Sequence, residues 1–296
     1  MVYDHYTPHP YIKQTFIIDT YDYQSYYRSK RKNEMADNST NSNIDIDYLK
    51  NTMSNRSIGM NIIHLDSVDS TMAKAKSESE SGAIEGTVIL AEEQTRGRGR
   101  FDRTWLSPKG SNLLFSVILR PTTKQLNQIN MAATLSVANS VSKLLNIPTS
   151  IKWPNDVHVF GKKISGILIE SVIENSIVKY AIIGIGLNVN WNPPKEANLP
   201  YPTTSLALES NKNIDRTFVL QLVLEEMNSL YSRISDGESL LKEWSNLLNT
   251  IGKSIIMKTG EDTLKGIAQS VDENGNLKIL KEDGSTVSIS SGEIIV

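Results

Sequence analysis

An α/β domain followed by a small all-β module is the architecture this sequence predicts. Three observations predict it. Between residues 60 and 190, short β-branched apolar runs alternate with segments whose apolar residues recur at helical spacing. Two amphipathic segments follow, at 215–234 and 238–249. Beyond residue 250 the pattern changes to short strand-like runs separated by the turn signals "TGED", "DENGN" and "EDGS", as in a small barrel or sheet.

In chain order, regular structure is expected from Ile44 onward. "MNIIHLDSV" (60–68) reads as a strand. "DSTMAKAKSESESG" (69–82) reads as a helix, with Asp69 or Ser70 as N-cap and Gly82 just past its end. "GTVILAEEQ" (86–94) and "NLLFSVILR" (112–120) are apolar enough for buried strands. "NQINMAATLSVANSVSKLLN" (127–146) carries Leu135, Ala138, Val141 and Leu145 at helical spacing. "SIKWPND" (150–156) reads as a strand ending in a Pro-Asn-Asp turn. "KISGILIESVI" (163–173) and "IVKYAIIGIGLNVN" (177–190) read as paired strands, and 192–202 as a Pro-rich loop. In the helix expected at 215–234, Val219, Leu222, Val223, Leu230 and Ile234 share one face. Residues 1–43 hold seven of the eleven tyrosines, the run "RSKRKNE" and little apolar periodicity, so they read as a disordered tail. The expected division is therefore a tail at 1–43, a main domain at 44–249 and a C-terminal module at 250–296.

Bulk composition narrows the function classes. The chain has 296 residues, a net charge of −2 and a pI near 6.1, which argues against a globally basic nucleic-acid binder. It has no cysteine, which excludes disulfides, thiol catalysis and Cys-ligated zinc and fits a cytoplasmic setting. No apolar run approaches the roughly 18 residues a membrane helix needs, and "MVYDHYTPHPYIKQ" lacks the pattern of a secretory signal.

Positive charge is concentrated instead at "TRGRGRFDRTWLS" (95–107), where Arg96, Arg98, Arg100 and Arg103 are interleaved with Gly97 and Gly99. Arginine offers planar donor forks suited to carboxylate and phosphate, and glycine lets backbone come close to a ligand. Such a loop can close over a discrete anion; a solvated connector is the plainer alternative. In "KWPND" (152–156), Lys152 and Asp156 flank a turn that Pro154 stiffens, with Trp153 beside it; an Asx-type turn is the bland reading. "GKKISG" brings Lys162 or Lys163 into a strand in which Gly166 leaves room. "GIGLNVN" (184–190) sets Gly184 and Gly186 in an apolar strand, with Asn188 and Asn190 on one side; packing or a bulge would also explain the glycines. Neither a dinucleotide fingerprint nor a G-x-x-x-x-G-K-[ST] phosphate loop is present. No Ser-His-Asp set is apparent, and His158 reads as a surface or turn residue. Many anion-binding groups without a protein nucleophile suit transfer at phosphorus, where positioning and electrostatics supply most of the catalysis.

In this order, "DSTM", "EEQTRGRGRFDRTWLSPKGSNLLFSVILRP", "KWPNDVHVFGKKISGILIE" and "IIGIGLNVN" resemble the catalytic domain of the biotin protein ligases, biotin–[acetyl-CoA-carboxylase] ligases. "TSL" at 204–206 and the β-rich end also fit, so the resemblance covers roughly 58–296. It implies a mixed β-sheet with packed helices, and a C-terminal SH3-like module. It implies ATP, biotin and Mg2+, formation of biotinyl-5′-AMP, and transfer of biotin to a lysine of a biotin carboxyl carrier protein domain.

By the same resemblance, Ser70, Thr71 and Gln94 would hold the ureido ring. Gly97, Arg98 and Arg100 would form the loop over biotin and adenylate. Lys163 would contact the biotin carboxylate and the phosphate, with Arg98 as its catalytic companion, and Gly166 and Gly184 would line the biotin slot. Lys152, Asn155, Asp156 and Asn188 would face the nucleotide or its metal, with no certain metal ligand. Trp105 and Trp153 would pack around the ligands or belong to the core.

Met72 stands where this family usually has asparagine, a departure expected to have local effects only. Residues 1–57 do not read as the winged helix that repressor members carry, so no repressor function is expected. Many members form homodimers through a sheet edge, and the sequence leaves this chain's assembly open. A lipoate-type ligase of the same superfamily is the nearest alternative; a nucleic-acid-binding regulator is a more distant one.

Overall fold

The computed structural model describes residues 43–101, 103–194, 199–260 and 262–295. Apart from Asn43, the tail expected at 1–43 lies outside the described residues.

Seven strands build one mixed sheet: β1 (Ile62–Leu65), β2 (Val88–Ala91), β3 (Leu113–Leu119), β4 (Thr149–Lys152), β5 (Asp156–Val159), β6 (Lys162–Glu174) and β7 (Ile177–Leu187). Their order is β1-β2-β3-β7-β6-β5-β4. Only β1 and β2 run parallel; the other neighbours are antiparallel. Helices among the described residues are α1 (Ile46–Thr52), α2 (Thr71–Glu80), α3 (Thr123–Leu145), α4 (Leu206–Ser210), α5 (Arg216–Ser235) and α6 (Leu241–Asn246). The expected mixed sheet with packed helices is therefore the fold observed.

The sheet has two faces because side chains alternate along each strand. Leu113, Phe115, Val117 and Leu119 of β3, with Ile183, Ile185 and Leu187 of β7, join the main core beneath α3 and α5. Ile118 and Ile182 belong to a smaller cluster with Ile89, Tyr180 and, from α2, Met72 and Ala75. Burial of both faces explains why β2 and β3 read as unbroken apolar runs.

Several elements depart from the sequence expectation. Helix α3 begins at Thr123 rather than 127, because Thr122 and Gln125 form a reciprocal capping box ahead of the apolar stripe. It ends at Asn146, whose left-handed φ of 54° suits asparagine. "VHVF" contributes to a further strand, β5, which makes a hairpin with β4 around the cis Trp153–Pro154 bond. His158 accordingly lies in β5 and is buried, not on the surface or in a turn. Its Nε2 has no hydrogen-bond partner, and burial pushes its pKa down to about 4. The helix read at 238–249 shortens to α6, while α1 and α4 carry too few apolar repeats to have been read from periodicity.

The C-terminal module is a five-stranded antiparallel sheet of β8 (Ser254–Thr259), β9 (Asp262–Val271), β10 (Leu277–Leu280), β11 (Thr286–Ile289) and β12 (Glu293–Ile294), ordered β11-β10-β9-β8-β12. Its apolar face merges with the main core through Ile255, Met257, Ala268, Leu277, Ile279 and Ile294. Trp153 is 2% exposed and donates from Nε1 to the Gly275 carbonyl at 2.9 Å, so it is core, pinning this module to the KWPND turn. No helix among the described residues is long and apolar enough to cross a membrane.

Candidate active site

On the sheet face that carries α2, register sets small residues side by side. Ser116 pairs with Gly184 and Gly184 with Leu168; one row along, Leu114 pairs with Gly186 and Gly186 with Gly166. The floor is bare because neighbours lie directly on it. A Cβ on Gly186 would come within 2.4 Å of the Trp105 ring, and one on Gly184 within 2.7 Å of Met72 Sδ. On Gly166 it would lie 3.0 Å from Trp105 and 3.1 Å from Lys163 Nζ. Close approach is thus what these strand glycines serve. The floor opens into a cavity of about 170 Å³.

One wall is polar. Ser70 is the N-cap of α2 with extended backbone, yet its hydroxyl makes no capping bond. Thr71 donates to Gln94 Oε1 from its backbone N at 2.7 Å and from Oγ1 at 2.9 Å. Ser116 Oγ in turn donates to Thr71 Oγ1 at 2.9 Å. Gln94 forms a parallel bridge with Val68 just beyond β2, and Glu92 two residues earlier accepts from buried Arg216 at 2.7 Å and lies 2.9 Å from His64 Nε2. This wall suits a neutral head group with several donors and acceptors.

The roof is the arginine loop, folded as a small hairpin. Trp105 N donates to Gly97 O at 2.9 Å, and Gly99 N to Arg103 O at 2.7 Å. Its cations reach separate elements. Arg98 lies 3.1 Å from Glu170 of β6, and Arg100 donates to Asn155 Oδ1 at 3.1 Å and to Ser291 Oγ at 3.3 Å. Arg103 pairs with Tyr201 and Glu293, and exposed Arg96 sits 3.9 Å from Asp69. Burial lowers the pKa of Arg100 from its usual value, with Asp156 opposing that shift. An arginine remains charged there.

At the far end Lys163 Nζ lies 2.7 Å from Asp156 Oδ1 and 5.6 Å from the Trp105 ring centroid. Lys152 and Asp156, which flank the turn as expected, are backbone partners in the β4–β5 register. The Lys152 side chain instead donates to Ile294 O at 3.0 Å and lies over Tyr201. Burial lowers its pKa. Asn188 is buried just beyond β7, with Nδ2 bound to Thr204 O and Oδ1 without a partner.

The predicted residues converge. Ser70, Thr71, Gln94, Arg98, Arg100 and Trp105 line this cavity together with Lys152, Asn155, Asp156, Lys163, Gly166, Gly184 and Asn188. Gly97 does not line it; it borders the adjoining cavity on the other side of the loop. Asn190 turns away to bond the backbone of Ile214. Met72, Tyr201 and Glu293, to which no sequence motif assigns a binding role, also line the cavity. Tyr201 and Glu293 come from distant parts of the chain with no motif around them. Met72 was visible as a departure, but its place over Gly184 was not.

Fold and site together define an α/β domain with a glycine-floored slot, polar at one wall and cationic at its roof and end. The description "Biotin/lipoate A/B protein ligase family" matches residues 65–188, and "Biotin protein ligase C terminal domain" matches residues 250–296. The bifunctional ligase/repressor BirA of Bacillus subtilis is 35% identical over 234 residues, spanning 77% of this chain and 71% of that protein. The biotin–[acetyl-CoA-carboxylase] ligase of Mycobacterium tuberculosis is 31% identical over 236 residues, spanning 76% of this chain and 85% of its own. Among solved structures, the biotin protein ligase from Aquifex aeolicus in complex with biotin and ATP superposes with a TM-score of 0.67 at 32% identity, covering 79% of this chain and 97% of that one. The chain belongs to the biotin protein ligase family.

Proposed function

We propose that this protein activates biotin with ATP and transfers it to a lysine of a biotin carboxyl carrier protein domain. The observation that carries the reading is the meeting of Lys163, Arg98 and Arg100 with the Ser70–Thr71–Gln94 wall around one glycine-floored cavity. In the first step a biotin carboxylate oxygen attacks the α-phosphorus of ATP. The bond to pyrophosphate breaks, leaving biotinyl-5′-AMP. In the second, the acceptor lysine's neutral amine attacks the acyl carbonyl, AMP leaves, and the amide nitrogen loses a proton. Both nucleophiles belong to substrates, so the reaction needs no nucleophilic protein residue.

Two anions repel each other, and a unit charge at 4 Å is worth about 4 kcal/mol at an effective dielectric near 20. Lys163 supplies the fixed cation between carboxylate and phosphate, and Arg98 and Arg100 the mobile ones. Ser70, Thr71 and Gln94 pair the ureido edge, while Gly166 and Gly184 admit the ring. Gly97 gives the loop its close turn beside Gln94. Trp105, Lys152 and Asn155 bound the nucleotide end.

Mg2+ bound with ATP would neutralise phosphate charge. Asp156 and the unpartnered Asn188 Oδ1 are the hard oxygen donors that would hold it. No group of three or more acidic or histidine ligands occurs among the described residues, so phosphates and water would complete its shell.

A division into catalytic residues 44–249 and a C-terminal module at 250–296, a cytoplasmic location and a homodimer joined at a sheet edge complete the proposal. The outer edge of β6 beyond the β5 pairing supports the last of these. Incubation with biotin, ATP, Mg2+ and a carrier domain should yield a biotinylated lysine; transfer of lipoate in preference to biotin would overturn the reading.

A further inference from the structure

The bare floor stops abruptly beyond Gly184. Two positions along β7 from Gly184 stands Ile182, and two along β3 from Ser116 stands Ile118; both are packed in the smaller apolar cluster. Met72 sits at that boundary. It follows Ser70 and Thr71 in the first turn of α2, is 4% exposed, and lays Sδ and Cγ directly over the Gly184 backbone. At the other end of the strip Trp105 lies on Gly186, two residues away, a rise of about 7 Å. One helix turn therefore supplies both the polar wall and the apolar stop of the slot.

We propose that Met72 is a specificity-determining residue that fixes the depth of the ring pocket. The inference rests on the biotin reading above. With the ureido edge taken by Ser70, Thr71 and Gln94 and the valerate chain directed along the glycine strip toward Lys163, the apolar Met72 side chain closes the flank of the bicyclic ring that faces away from the chain. A bicycle of biotin's size fits against it, and one made bulkier in its thioether ring does not. Pocket walls of this kind discriminate by about 10- to 200-fold per methylene-sized group.

Calorimetric titration with biotin and with biotin sulfone, which carries two more oxygens on that ring, tests the point. The wild type should prefer biotin by at least about tenfold. Met72→Ala should reduce the ratio of the two dissociation constants by about tenfold, and Met72→Leu, of similar volume, should keep it. Both ligands meet the same folded variant, so general destabilisation cancels from the ratio. If Met72→Ala does not fold, Met72→Val carries the test. A ratio unchanged by truncation, or a wild type that binds both equally, overturns the proposal. A wild type that binds neither overturns the biotin reading instead.

Discussion

In the proposed reaction Lys163 carries the chemistry, because its ammonium sits beside Asp156 at the cavity end, where a carboxylate and a phosphate would meet. Lys163→Ala should slow adenylate formation by about 10²- to 10³-fold, the usual cost of one preorganised electrostatic donor. Biotin affinity should change by less than about tenfold. Single-turnover pyrophosphate release beside equilibrium biotin binding separates the two, and equal losses in both would reduce Lys163 to a binding group.

His158 gives a second test at this scale. Its folded pKa of about 4 lies below the ordinary histidine value of 6.5, so between those values the unfolded chain binds more protons than the folded one. Stability should therefore rise with pH from about 4 to 6.5 and level off above, and His158→Gln should flatten that part of the curve. Urea midpoints at pH 5 and 7 check it; an identical pH slope in the variant would show that other groups set it. The sequence hid His158 because four residues of "DVHV" are too few to display strand alternation, whereas "KWPND" and the arginine run stood out by residue type alone.

At the scale of elements, the glycines of β6 and β7 decide whether a slot exists. Gly186→Ala would drive a methyl into the Trp105 ring, and overpacking of this kind costs about 1–3 kcal/mol. Expected are a lower melting temperature and biotin binding weakened by tenfold or more; unaltered binding would mean that the ring lies elsewhere. Sequence pattern shows β2, β3, β6 and β7 clearly, since β2, β3 and β7 bury most of their residues and β6 is a long run rich in isoleucine and valine. It showed α3 late by four residues, because the Thr122–Gln125 cap is polar and precedes the stripe. Which side of a strand glycine is open depends on the partner strand's register, which a local pattern does not carry.

For the whole molecule, the C-terminal module is part of the site. Glu293 accepts from Arg103 and from Tyr201, joining the arginine loop, the loop after β7 and β12. The pair is partly exposed and worth about 0–1 kcal/mol, so Glu293→Gln should leave stability nearly unchanged. The KM for ATP should rise several-fold, as Arg103 loses its anchor. A variant with wild-type KM would limit the module to a structural part. This long-range contact joins residues 190 apart in sequence, and no motif around Glu293 announces it.

Pyrophosphate release from ATP, followed with and without biotin and with no acceptor present, tests most directly whether this cavity unites the two anions. Release should depend on biotin and stop near one equivalent, with biotinyl-5′-AMP retained on the protein. Release that ignores biotin, or none while both ligands bind, would contradict it.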